Sequence, residues 1–225
     1  MKLQSGFVRY NEGTFDEARI EAPRTDERGG CTILSDTQAL ISSYLTDLTN
    51  VIASVHAVDV DALVDRLAEA WENDRHVLLM GNGGSSSTVS HIVADLQKNV
   101  FLHCGRAMRT ICLTDSAPLL TAWGNDTRYD NVFAGQVECW AKPGDLVIAV
   151  SGSGNSPNII HGIEAANRLG AVTFGLAGFG GGKLKDSAQA CIVLDCHHMQ
   201  LVEDVHMSIL HAAFLALIER IAPGQ

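Results

Sequence analysis

Five short apolar runs constrain this 225-residue chain more than any other feature. HVLLM (76–80), MRTICL (108–113), DLVIAV (145–150), AVTFGL (171–176) and ACIVL (190–194) are each of strand length and apolar on both faces. Strands buried on both sides, with helical segments between them, predict an α/β fold whose parallel sheet is covered by helices on each face. The spacing places intervening helices at 86–99, 116–123, 129–141 and 156–169. Two helices precede the first strand. Ser35-Asp36-Thr37-Gln38 opens one with a capping box, and Leu40, Ile41, Leu45, Leu48, Ile52 and Val55 continue it at helical spacing. The other runs from about Asp61 to Asn73. A final helix is expected at 199–221, where His206 leans towards the apolar stripe and is expected to pack. Residues 1–34 are charged, rich in Gly and Pro, and aperiodic. They read as an extension to a single domain spanning 35–225.

Composition then removes several classes of function. A formal charge of −10 opposes both nucleic acid and an anionic membrane surface, so neither is an expected partner. No run approaches the roughly 18–20 unbroken apolar residues of a membrane span, and the N-terminus has no apolar signal core. The six cysteines include no Cys-x-x-Cys pair. They are expected to be free thiols, which places the protein in a reducing cytoplasm. A small anionic ligand remains open, because helix N-termini bind phosphate through backbone N–H groups without a net positive protein.

In a parallel sheet of this kind, ligands bind beyond the carboxyl ends of the strands. Two of those ends are unusual. Gly81-Asn82-Gly83-Gly84-Ser85-Ser86-Ser87 follows the first apolar run, and Ser151-Gly152-Ser153-Gly154-Asn155-Ser156-Pro157 follows the third. Each runs straight into a helix, so small residues, hydroxyls and free N–H groups converge where a phosphate fits. Nucleotide motifs do not fit. Gly178-Phe179-Gly180-Gly181-Gly182-Lys183-Leu184 resembles a P-loop, but Ala177 replaces its first glycine and Leu184 its Mg²⁺-binding hydroxyl. No nucleotide cofactor is expected.

GNGGSSS, then AVSGSGNSPNII after a Pro-Gly-Asp turn, then VEDVHMSILH in a last helix, together resemble the sugar isomerase (SIS) domain. Within it the chain is most similar to the phosphoheptose isomerases, from about Ser35 to Ile221. The resemblance implies a three-layer fold with a five-stranded parallel sheet in a flavodoxin-like arrangement, and a homotetramer with active sites completed across subunits. It also implies ketose–aldose isomerisation of a phosphorylated sugar such as sedoheptulose 7-phosphate. By the same resemblance Ser151, Ser153 and Ser156 hold the phosphate, with Gly152 where a hydroxyl residue often stands. Asn82, Gly83 and Ser85 form the first loop, and Asp126 of Gly124-Asn125-Asp126 meets substrate hydroxyls. Asp115 is the lesser claimant and reads as a helix N-cap.

Isomerisation moves a proton from C1 to C2 and needs an acid and a base. His91 and Asp95 are four apart and share a helix face. Glu203 and His211 lie on the last helix, roughly 80° from alignment. The resemblance assigns catalysis to Asp95, where the family has Glu, and to His211, with Glu203 replacing a usual Gln at the substrate. Asp is one methylene shorter than Glu. His91, Asp95, Glu203 and His211 together form an N/O set suited to Zn²⁺, and some phosphoheptose isomerases carry a metal at the matching positions. Two other readings use the same fold: a non-catalytic adaptor that binds a replication initiator, and a phosphosugar sensor. The acid–base residues argue against the first, and the lack of a DNA-binding segment argues against the second.

Overall fold

A computed structural model describes residues 35–222. The extension expected at 1–34, and Cys31 within it, lie outside the described residues. Helix α1 (Asp36–Ala53) opens on the predicted capping box: Gln38 N donates to Ser35 Oγ at 3.3 Å and Ser35 N to Gln38 Oε1 at 2.9 Å. No residue of α1 is buried.

The compact body starts at Thr46. It continues through α2 (Ala57–Glu72), β1 (His76–Gly81), α3 (Gly84–Ala94), a π-helical turn (Asp95–Asn99) and α4 (Val100–Cys104). Then come β2 (Arg109–Cys112), α5 (Ala117–Asp126), a 3₁₀ turn (Tyr129–Asn131), α6 (Ala134–Trp140), β3 (Leu146–Ser151) and α7 (Pro157–Arg168). The chain finishes with β4 (Val172–Ala177), a short turn, α8 (Leu184–Ser187), β5 (Ala190–Val193) and α9 (Met199–Ile221). All five strands are parallel, in the order β2-β1-β3-β4-β5, as expected.

Alternation of side chains along each strand supplies both faces of the sheet. Leu78 and Met80 of β1 and Val147 and Ala149 of β3 join Ile159 and Ile163 of α7, Phe133 and Val137 in one core cluster. Val77, Leu79, Ile148 and Val150, equally buried, fall at the alternate positions, on the side of α2, α3 and α9. Each such aliphatic side chain contributes roughly 1.5–3 kcal/mol on burial. At the opposite end from the loops, buried Asp145 joins two strand starts: Oδ1 accepts from His76 N at 2.9 Å and Oδ2 from Lys142 N at 2.8 Å.

Several boundaries differ from expectation. The helix predicted at 86–99 continues to Cys104, where Gly105 ends it with a left-handed φ of 69°. Asn99 instead marks the end of the π turn. The helix predicted at 129–141 is a 3₁₀ turn followed by α6, and α2 begins at Ala57 rather than Asp61. Helix α9 is long and apolar enough, by length and composition, to cross a membrane. It is instead a core helix, burying Val202, Val205, Ile209, Leu210 and Ala213 and packing on α2 and α3.

Candidate active site

The order β2-β1-β3 puts the sheet's topological switch point between β1 and β3, where doubly wound sheets open a ligand crevice. The two glycine–serine loops leave from those two strands. After β1 the chain turns through Gly83, whose φ of 54° is a left-handed conformation that a side chain would strain. Ser85 is buried in the first turn of α3. After β3, buried Ser151 begins the second loop and Ser156 is the N-cap of α7. The Ser156 side chain makes no capping bond, which leaves its hydroxyl for a ligand at the helix start. Ser153 Oγ accepts from Asn155 N at 3.2 Å.

The P-loop-like run has a different role. Gly154 has a φ of 64°, and a Cβ there would strike the Gly181 carbonyl. Gly178 N donates to Gly152 O at 2.8 Å, Leu184 N to Gly154 O at 2.9 Å, and Lys183 N to Asn155 Oδ1 at 3.1 Å. The glycines of 178–182 therefore back the serine loop closely. Glycine at 152 has a similar explanation: the space a side chain would take there is filled by the Met199 thioether at the start of α9.

Helices α3 and α9 pack together and bring residues from opposite ends of the chain into one cluster. His91 Nε2 and His211 Nε2 are 2.9 Å apart. Asp95 Oδ2 lies 3.7 Å from each. With no metal between them, a hydrogen bond at this distance has one ring nitrogen donating and the other accepting, according to the tautomers. Asn99 Nδ2 holds Asp95 Oδ1 at 2.9 Å and leaves Oδ2 for the rings. Asp95 begins the π turn, a local widening common at functional sites. His91 is exposed, and Asp95 and His211 are half-buried, so the cluster is accessible to a substrate or a partner surface. The ligand atoms of the three residues lie within 4.8 Å of one another, a donor set that fits a divalent ion with positions left open.

Glu203 does not join them. Its carboxylate lies against Gly84, where α3 begins. Eight residues of α9 separate it from His211, a rise of about 12 Å in addition to the 80° rotation. Of the four residues grouped from the sequence, three thus come together, with Glu203 beside the first loop instead. Asp126 ends α5, is exposed, and accepts from Asn125 Nδ2 at 2.9 Å. The N-cap of α5 is Ser116, whose Oγ accepts from Leu119 N at 3.3 Å, so Asp115 is not that cap.

Sequence reasoning missed Asn158 and Tyr129. Asn158, buried in the first turn of α7, exchanges two hydrogen bonds of 2.9 Å with Asn82. Tyr129 Oη donates to Asn82 Oδ1 at 3.1 Å. Asn158 stands two residues past the last serine of the second loop, within a stretch that reads as ordinary amphipathic helix. Nothing local in the sequence pairs it with Asn82.

A doubly wound sheet with paired phosphate-type loops at its switch point, and an imidazole–carboxylate cluster on the flanking helices, defines a class of proteins that handle small phosphorylated molecules. The sequence matches the SIS domain family over residues 43–178. It is 33% identical over 168 residues to a probable phosphoheptose isomerase of Thermoplasma acidophilum, covering 75% of this chain and 92% of that one. It is 35% identical over 187 residues to the phosphoheptose isomerase of Syntrophotalea carbinolica, covering 82% and 94%. The solved phosphoheptose isomerase of Francisella tularensis shares the fold, with a TM-score of 0.77 at 22% identity, covering 83% of this chain and all of that one. The chain belongs to the SIS domain family, among the phosphoheptose isomerases.

Proposed function

We propose that this protein is a ketose–aldose isomerase that acts on sedoheptulose 7-phosphate and yields a D-glycero-D-heptose 7-phosphate. The observation that carries the reading is the close group of His91, Asp95 and His211 on helices that flank two phosphate-type loops. Ser151, Ser153 and Ser156, with the N–H groups opening α7, bind the phosphate. Asn82, Ser85 and Glu203 line the first loop beside the sugar hydroxyls, and Asp126 reaches them from the end of α5.

Asp95 takes the proton from C1 of the ketose as the C1–C2 double bond of an enediolate forms. His211 delivers a proton to the C2 oxygen, giving the enediol. The C1 hydroxyl then loses its proton to the imidazole as C2 takes up the proton held by the carboxylate, leaving an aldehyde at C1. His91, in hydrogen-bond contact with His211, relays a proton and fixes which ring nitrogen carries it. His91, Asp95 and His211 would alternatively hold a Zn²⁺ ion in place of the shared proton, and the ion would then supply polarisation of a sugar oxygen instead of proton delivery by His211.

His91 lies seven residues beyond Gly84, roughly 10 Å along α3. The resemblance to the phosphoheptose isomerases implies a homotetramer in which the loops of one subunit and the cluster of another complete each site. An adaptor that binds only a protein partner has no need of two imidazoles and a carboxylate at these distances. Incubation with sedoheptulose 7-phosphate in D₂O, followed by NMR, tests the reading. An aldose 7-phosphate should accumulate, and a ketose left unchanged by folded protein with Zn²⁺ supplied would refute it.

A further inference from the structure

We propose that Asn158 is a positioning residue, which locks the two ligand loops together across the switch point and thereby sets the span between the phosphate and the sugar. The inference rests on the phosphosugar reading of this site. The sheet aligns β1 and β3 only as far as the pair Gly81–Val150. Among the described residues, no backbone–backbone hydrogen bond joins the two loops beyond that pair. The asparagines supply the link. Asn158 Nδ2 donates to Asn82 Oδ1, and Asn82 Nδ2 donates to Asn158 Oδ1, each at 2.9 Å. Asn158 Oδ1 also accepts from Ile159 N at 3.0 Å, which fixes the side chain against its own helix. With only 2% of its surface exposed, Asn158 works through Asn82 and not through the ligand.

A largely buried pair of amides that hydrogen-bond each other costs more to desolvate than an apolar contact of the same size, and what it supplies is a single geometry. Here that geometry matters. Asn82 is the first of the two residues between the end of β1 and the start of α3, so its placement aims the first loop relative to Ser151–Ser156. Tyr129 Oη is the second partner of Asn82 Oδ1, reaching over from the 3₁₀ turn after α5. Loss of Asn158 would leave Tyr129 as the remaining side-chain tether of the first loop.

The test uses Asn158→Leu, Tyr129→Phe and the double variant in the full chain, with thermal melting to establish that each folds. Inorganic phosphate probes the second loop alone, and sedoheptulose 7-phosphate probes both loops together. Asn158→Leu should change the calorimetric Kd for inorganic phosphate by less than about 3-fold. It should weaken the sugar phosphate by about 10- to 100-fold and lower kcat/KM in parallel, the scale of a displacement near 1 Å. Tyr129→Phe should cost less than about 3-fold in the wild-type background and at least about 10-fold more in Asn158→Leu, because coupled residues are non-additive. Equal weakening of both ligands by Asn158→Leu, or a double variant equal to the product of the singles, overturns the proposal. If Asn158→Leu does not fold, Asn158→Asp keeps the acceptor and loses the donor. The ratio of its two affinities cancels its added charge and is read the same way. Wild-type protein that binds the sugar phosphate without turning it over refutes the isomerase reading, and the affinities still decide the role of Asn158. Wild-type protein that binds neither anion overturns both.

Discussion

His206 sits on α9 with none of its surface exposed, and neither ring nitrogen has a hydrogen-bond partner. Burial pushes its pKa down from the ordinary 6.5 to about 4, against a smaller upward pull from the nearby Ala177 carbonyl, which makes no well-formed bond to it. The folded protein therefore keeps this ring neutral where the unfolded chain protonates it. Between pH 6.5 and about 4 the unfolded state binds more protons, so the stability contributed by neutral His206 is complete above pH 6.5 and is lost as pH falls. A gap of about 2.5 pH units, at about 1.4 kcal/mol each, gives a total loss of roughly 3 kcal/mol, of which about 2 kcal/mol has gone by pH 5. Urea unfolding of wild type and His206→Leu, at pH 7.5 and pH 5.0 and one protein concentration, isolates this term from the other histidines. Wild type should lose about 2 kcal/mol more than the variant over that interval. A leucine side chain is of similar volume and removes two unsatisfied polar atoms, so the variant should be no less stable at pH 7.5. Equal losses in the two proteins would refute the argument and mean that His206 is solvated or hydrogen-bonded in solution.

Ser153→Ala should weaken sugar-phosphate binding by about 1–3 kcal/mol, since it leaves a charged group short of a donor; unchanged affinity in calorimetry would remove the second loop from the site. Protein purified without a histidine tag should contain Zn²⁺ and lose it to a chelator, and His211→Ala should contain none by elemental analysis. Metal-free wild type whose isomerase rate is indifferent to Zn²⁺ would leave Asp95 and His211 as base and acid alone. Leu40, Ile41, Leu45, Leu48 and Ile52 recur at helical spacing along α1 and none is buried, an apolar stripe that needs cover. Light scattering at micromolar concentration should therefore give the mass of a homotetramer, the closed dihedral form usual for four identical chains; a monomer would defeat this and the shared active site together.

Much of the fold was legible because its signals are local. An apolar run marks a strand buried on both faces wherever it lies, and each of the five runs became one, with no boundary off by more than a residue. The reciprocal bonds of Ser35 and Gln38 are written in a four-residue pattern. The two glycine–serine loops at neighbouring strand ends could be placed because a strand, a small-residue turn and a helix start are contiguous in sequence. What stayed hidden depends on which elements meet. The gap of 2.9 Å between His91 and His211 spans 120 residues of chain and is set by the packing of α3 on α9. The same packing carries Glu203 to Gly84 and away from the cluster, a separation its helical spacing shows but whose destination it does not. Glycine at 152 makes sense only beside Met199, and the P-loop-like glycines only against the loop they support. Asn158 is invisible for the same reason. Short-range periodicity determines which segments are strands, helices and loops, whereas the contacts between distant segments arise from the burial and packing of whole faces, and only the assembled structure decides them.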